Sequence, residues 1–148
     1  MKIHRSTKCS LNFASKSKLN KIELILSEYA RVVNHFINLF WEDCPSKAGL
    51  LKTVVHTSDS WFSARLKKVA AREAIDMIKS ARQKDGEKAV RPTHYGNRMC
   101  ASSTIAALND SKEALGFDCW LHLSSIGNKI ILDLPIKLHR HYHKLSCR

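Results

Sequence analysis

The chain has 148 residues, 44% of them hydrophobic, and a formal charge of +12 from 25 Lys and Arg against 13 Asp and Glu. That apolar share argues against intrinsic disorder, and the length suits one compact domain or two small lobes on a shared core. The basic excess, with a pI of about 9.7, points to a polyanionic partner, nucleic acid ahead of an anionic membrane.

Residues 1 to 21 hold six Lys or Arg and no acid, and no acid follows Asp133, so both ends are expected to face the same kind of partner. A merely solvated surface is the bland alternative. Cys9, Cys44, Cys100, Cys119 and Cys147 are odd in number, widely spaced and without a CxxC pair, which signals neither a disulfide framework nor a zinc ribbon. Reduced thiols in a cytoplasm fit them. No stretch approaches the roughly 20 apolar residues that span a bilayer, and the N-terminus lacks the apolar run of a signal peptide. A cytoplasmic protein with no membrane partner is therefore expected.

Along the chain, Ile3, Leu11 and Phe13 in residues 2–14 suggest a strand. From Ser17, a plausible cap, Ile22, Ile25, Leu26, Tyr29, Val32, Val33, Phe36, Ile37 and Phe40 recur at three- and four-residue steps and predict a long helix. Pro45 marks its stop shortly after Trp41. A short helix over 46–56, with Leu50, Leu51, Val54 and Val55 inward, is followed by a polar break at Thr57–Ser60. The second long helix then turns Phe62, Leu66, Val69, Ala70, Ala74, Met77 and Ile78 to the core.

QKDGEKAVRPTHYG, residues 83–96, reads as an exposed loop broken by Gly86, Pro92 and Gly96. A third helix is expected from Ser102 or Ser103 through Ile105, Leu108 and Leu115, stopping at Gly116. FDCWLHLSS and KIILDLPI follow as short strands about a turn at Gly127 and Asn128. A lone N-terminal strand needs partners, and those after residue 117 are the natural ones. The fold class is therefore α+β, with the helical segment inserted between strands.

Chemistry concentrates in few places. LPIKLHRHYHKL puts His139, His141 and His143 at alternate positions, the spacing of one strand face, interleaved with Lys137, Arg140 and Lys144. Three imidazoles with Cys147 suggest a metal site, yet no carboxylate lies nearby in sequence and the cations oppose a metal ion. Contact with nucleic acid, or a solvated end, are the other readings. On the second helix Arg65, Lys68, Arg72, Lys79 and Arg82 form a row spanning roughly 25 Å of axis, suited to a phosphate backbone. Its bland reading is a solvated face with Glu73 and Asp76 as intrahelical partners, although Ser60–Arg91 holds nine basic residues against four acidic ones.

Tyr95 and Tyr142 are stacking candidates, whereas Trp41 and Trp120 read as core residues. Asp118 and Asp133 are the only carboxylates beside strands that suggest a pair, and no third acid joins them; there is neither a GxSxG elbow nor a Gly-rich phosphate loop. Neither a catalytic residue nor a metal or other cofactor is expected. Read alone, the chain looks like a binding module.

RVVNHFINLFWE, SWFSARLKKVAAREAIDMIKSARQK, RPTHYGNRM, SSTIAALNDSKEALGFDCWLHLSS and LDLPIKLHRHYHKL, taken in this order, resemble the N-terminal half of transposon-encoded RNA-guided nucleases of the TnpB type, relatives of type V CRISPR effectors. The resemblance runs over nearly the whole chain and rests on helix and strand patterns, with no invariant catalytic string. It implies wedge-like β-barrel strands at 1–16 and 117–148, with a helical recognition-like insertion at 17–116, and a bacterial or archaeal host. It also implies structured guide RNA, and double- or single-stranded DNA, as partners. Carried over, the contacts are Lys2, His4, Arg5 and Lys8 of the first strand, the helix row, Arg91, His94, Tyr95 and Arg98 of the loop, and Lys137 with residues His139, Arg140, His141, Tyr142, His143 and Lys144 of the ribbon.

The family's RuvC-like nuclease half corresponds to no stretch of this sequence, so no DNA cleavage by this chain alone is expected. Two other readings stand beside this one. The chain is a subunit of a split nuclease or transposase completed by a separate nuclease-domain chain, or a basic module that docks on an acidic protein.

Overall fold

In the computed structural model, residues 8–50, 52–110 and 116–138 are described. The chain runs β1 (Cys9–Ser10), α1 (Lys16–Phe40), α2 (Lys52–Val55), α3 (Ala64–Asp85), a 3-10 turn at Gly86–Lys88, then β2 (Ala106–Asp110), β3 (Cys119–Leu123) and β4 (Leu132–Leu138).

The two long helices form where the periodicity predicts. Ser15, two residues before the expected cap, accepts from the Lys18 amide and opens α1. Ile25, Tyr29, Val32, Val33, Phe36, Ile37 and Phe40 are buried along one side. Ser63 caps α3 in the same way, through the Leu66 amide, and Gly86 closes it with its N–H on the Arg82 carbonyl. The small residues Ala70, Ala71 and Ala74, all fully buried, let α3 approach α1 closely, and Leu66, Ile75 and Ile78 fill the remaining space.

The strands make one antiparallel sheet in the order β1-β4-β3-β2, the alternation placing Leu121 opposite Leu134 and Leu123 opposite Leu132. Buried Ile105, Leu123, Ile126, Leu132 and Leu134 join the core of α1 and α3, so helices and sheet share one apolar cluster. The β3–β4 turn is pinned to the start of α3. Ser63 donates its N–H to the Ile126 carbonyl at 2.7 Å, and Gly127 pairs with Phe62 in an isolated bridge.

The sequence expectation fails at the third helix. Ser102 does open a single turn, its carbonyl accepting from the amides of Ile105 and Ala106 at 2.9 Å, but the chain then extends as β2. Of the three apolar points that suggested a helix face, Ile105 is buried while Leu108 is 60% exposed, so these two do not share a side of the core, and Leu115 lies outside the described residues. Pairing with β3 satisfies this backbone instead. The short helix over 46–56 contracts to α2, with Leu50 and Val55 buried; Leu51 lies outside the described residues. The expected N-terminal strand is present at Cys9–Ser10, after which the chain turns, Ala14 N–H donating to Leu11; residues 1–7 lie outside those described.

Trp41 and Trp120, expected in the core, instead sit half-buried at its rim, and Lys18 lies over the Trp120 ring at 5.3 Å.

Gly127 has φ +142°, and a β-carbon there would meet the Trp61 carbonyl oxygen at 2.2 Å. Gly86, at φ +59°, has open space around it. Gly127→Ala should therefore cost at least about 4 kcal/mol in chemical denaturation, against about 1 to 3 kcal/mol for Gly86→Ala, where only backbone strain applies. A second expectation concerns acid. Arg31 donates to Glu28 at 2.7 and 2.8 Å, and this lowers the Glu28 pKa from 4.5 against the opposing effect of burial. A lowered folded pKa contributes stability above the unfolded value and loses it as pH falls through the folded one. Glu28→Gln should thus flatten the loss of melting temperature below about pH 4.5, relative to the parent chain, in a pH series of thermal melts.

Candidate nucleic-acid interface

Helix α3 separates its charges by face. Arg65, Lys68, Arg72, Lys79 and Arg82 are all exposed, and among the described residues the first four make no hydrogen bond or ion pair. Lys67, one residue off the row, turns inward and donates Nζ to the Ser58 carbonyl at 2.9 Å.

The two acids that the solvated-face reading would pair with the row are engaged elsewhere. Glu73 is buried: Oε2 accepts from the Tyr29 hydroxyl at 2.7 Å and Oε1 from Arg98 Nε at 3.0 Å. Asp76 falls between Arg72 and Lys79 on the exposed side, but Lys47 Nζ holds its Oδ2 at 2.6 Å. The row keeps its positive sign, with Lys47 added beside it.

Burial, and then the Glu73 hydrogen bond, push the Tyr29 phenol far above its usual range, so it stays protonated and serves as the donor to Glu73. Cys100 is nearby and exposed at the surface; partial desolvation, and then the Glu73 charge, raise its thiol pKa as well.

The 89–100 loop is not a free arm. Asn34 reads the His94 backbone with both ends of its amide, Nδ2 donating to the carbonyl at 2.9 Å and Oδ1 accepting from N–H at 2.8 Å. His94 itself is 4% exposed, so its ring does not face solvent as the loop reading expected of a nucleic-acid contact. Its Nδ1 accepts from the Gly96 N–H, which puts the ring proton on Nε2, 3.6 Å from Glu73 Oε1. The ring packs edge-on against Tyr29. An imidazole between Pro92 and Gly96 looks solvent-exposed in sequence; here Asn34 holds its backbone, Tyr29 packs on the ring, and Nε2 is buried without a hydrogen-bond partner among the described residues.

Arg91, Tyr95 and Arg98 do remain exposed, Tyr95 by 84%. Arg98 is braced by Glu73. Arg91 reaches across α1, Nη1 donating to Asn38 Oδ1 at 3.1 Å, and lies 5.9 Å from the centroid of Trp41; Arg82 lies 5.3 Å from the same ring. Loop and helix row thus meet at Trp41.

A second basic group belongs to the sheet. Lys8 is exposed beside β1, whose Cys9 and Ser10 pair with Leu138 and Lys137. Lys137 is exposed and donates Nζ to the Gly116 carbonyl at 2.9 Å. Lys2, His4 and Arg5, and the ribbon residues His139, Arg140, His141, Tyr142, His143 and Lys144, lie outside the described residues.

No group of three or more His, Cys, Asp or Glu among the described residues could hold a metal ion. Asp118 Oδ2 accepts from the Leu138 N–H at 2.7 Å, while Asp133 Oδ1 meets His122 Nδ1 at 2.6 Å. These anchor points are five residues apart on β4, roughly 16 Å of strand, so the two carboxylates do not form a pair.

Compared with known proteins, the chain matches no protein-family model, and neither a curated protein nor a solved structure is significantly similar to it. No helix among the described residues is long and apolar enough to cross a membrane.

Sequence reasoning missed Lys47, the inward Glu73 and the position of Trp41. One signal was available: Tyr29 falls on the buried face of α1, and a buried phenol calls for a hydrogen-bond partner. Asn34→Ala removes both bonds to the His94 backbone and should cost about 1 to 3 kcal/mol in denaturant unfolding, with faster amide exchange at His94. Unchanged exchange there would show that the loop is held without Asn34.

Proposed function

We propose that this chain is a nucleic-acid-binding module that grips the sugar-phosphate backbone, through shape and charge, along α3 and the 89–100 loop. The observation that carries the reading is the exposed run of Arg65, Lys68, Arg72 and Lys79, which has no partner among the described residues while the neighbouring acids are engaged elsewhere. A solvated helix face ordinarily interleaves its charges; here Glu73 is buried and Asp76 is paired with Lys47, and the cations are left in line.

The sequence resemblance to the guide-RNA and target-DNA recognition lobe of TnpB-type nucleases gives this binding a more specific form. In that reading structured guide RNA is the first partner and the DNA duplex or displaced strand the second. In the same reading the open four-stranded sheet is part of the family's wedge-like barrel, with β2 added from the 17–116 insertion. The terminal ribbon and first strand supply further phosphate contacts. Binding, and not phosphodiester cleavage, is the role assigned to this chain; where the family cleaves, its carboxylates belong to the nuclease half. A separate chain bearing that half would be a partner in a split enzyme.

Filter binding to a structured RNA decides the matter. Affinity should fall by about 10³-fold or more between 50 and 200 mM salt if six or more phosphates are contacted. Replacing Arg65, Lys68, Arg72 and Lys79 with Gln should weaken binding at every RNA sequence and make the salt slope shallower by roughly one for each phosphate no longer neutralised, with the melting temperature little changed. Absent or salt-insensitive binding by the parent chain would remove the proposal. A parent-like slope in the fourfold variant would move the interface off α3.

A further inference from the structure

Resting on the reading of the chain as a phosphate-backbone binder, we infer that Trp41, Arg82 and Arg91 form a preorganised anchor for a single nucleic-acid strand, at the point where the α3 row ends. Trp41 follows the last residue of α1 and is half-buried; Arg82 lies in the last turn of α3, and Arg91 comes from the loop. Three separate pieces of chain thus place two guanidinium groups at one indole, 5.3 and 5.9 Å from its centroid.

Two features set this cluster apart from arginines that only cover a tryptophan. Both guanidinium groups are held by hydrogen bonds that carry no compensating charge: Arg82 Nη2 donates to the Trp41 carbonyl, and Arg91 Nη1 to the Asn38 side-chain oxygen. Glu42, Asp43, Asp85 and Glu87 flank these positions in sequence, yet among the described residues none forms an ion pair with either arginine. Two like charges are therefore held at one indole, 5.3 and 5.9 Å from its centroid, without a counter-ion from the protein, an arrangement that an incoming anion stabilises.

The second feature is the donors left over. A guanidinium carries five N–H groups, and one from each arginine is occupied in the bonds above. The others are available to phosphate oxygens, and arginine presents them in a planar fork suited to bidentate contact. The indole and the two anchoring bonds restrict both side chains before binding, so less rotamer entropy is lost when a phosphate arrives. Continuity with Lys79 and the rest of the row selects a polymeric phosphodiester as the occupant. A strand laid along α3 would reach Arg82 and leave the helix toward Arg91.

Salt-dependent binding of an oligouridylate of about 12 nucleotides tests this, with the full chain throughout. Arg82→Gln with Arg91→Gln should make the slope of log affinity against log salt shallower by about 1.4, the effect of two phosphates on a single strand. Lys84→Gln with Lys88→Gln removes the same net charge from exposed positions nearby and should change the slope by less than half as much. Trp41→Leu keeps both charges and both anchoring bonds but removes the indole that confines the two side chains; affinity should fall several-fold at an unchanged slope.

A parent-like slope in the arginine pair, an equal effect of the lysine pair, or a Trp41→Leu variant with parent affinity would each overturn the anchor. If the arginine pair fails to melt cooperatively, Arg82→Lys with Arg91→Lys replaces it: weaker binding at the parent slope supports the anchor, and unchanged affinity overturns it. Should the parent chain bind no RNA, structured or single-stranded, the proposed function falls as well. Failure confined to the anchor variants leaves that function standing.

Discussion

The architecture depends on one buried carboxylate. Glu73 sits on the inner side of α3, almost closed to solvent, with the Tyr29 phenol from α1 on one oxygen and the Arg98 guanidinium from the following loop on the other. The attraction within such a group contributes little by itself once desolvation is counted. What it does is penalise alternatives: an arrangement of α1, α3 and the loop that leaves Glu73 buried and unpaired is costly by several kcal/mol, roughly 3 to 5. Apolar packing of Val32, Val33, Phe36, Ala70, Ala74 and Ile78 supplies the attraction between the helices, and Glu73 selects the register in which they meet.

That selection determines the outer surface. With α3 fixed in rotation, Lys67 is directed to Ser58 inside, while Arg65, Lys68, Arg72 and Lys79 are left outside. A rotation of α3 about its own axis would mix these sets. Asp76, the acid that falls within the outer row, is matched by Lys47 from the segment before α2, so the one acid in the stripe is offset by a residue distant in sequence. Arg98 has two roles, balancing Glu73 on one side while its largely exposed side chain faces solvent on the other. The same buried group therefore accounts for the packing of the loop and for the placement of its exposed cations.

The two long helices were legible because each has enough turns for the apolar period to dominate, and nearly all of the predicted inner face of α1 is buried. Residues 102–110 were not. Two apolar residues three apart fit a helix turn as well as they fit a strand, and the choice was made by β3, whose backbone offered a complete set of partners. His94 failed for a related reason. Its neighbours in the chain are Pro92, Tyr95 and Gly96, all signs of an exposed loop, whereas the residues that bury it, Tyr29 and Asn34, lie some 60 positions earlier. Exposed charge was easier to read: every α3 cation assigned to the row is indeed on the surface, since a lysine or arginine one or two positions off an apolar stripe has little choice. Pairing was harder, because it depends on partners such as Lys47 that no local pattern indicates.

A surface of this composition limits what the binding in the proposed reading can accomplish. Guanidinium and ammonium groups along a helix contact phosphates, which every sequence presents alike; they set affinity, register and direction, and carry no base information. Among the described residues of the loop Tyr95 is an aromatic side chain almost fully open to solvent, and stacking on it would also be tolerant of sequence. Any sequence preference must then come from the nucleic acid itself. A bound RNA that pairs with a second strand would supply it, with the protein holding the backbone of the pairing strand along α3 and at Trp41. The rigidity imposed by Glu73 matters most in that case. Phosphates can be held in register for pairing only if the cations that hold them do not move relative to one another, and the cations of α3 and of the loop share their fixed point in the one carboxylate buried beneath them.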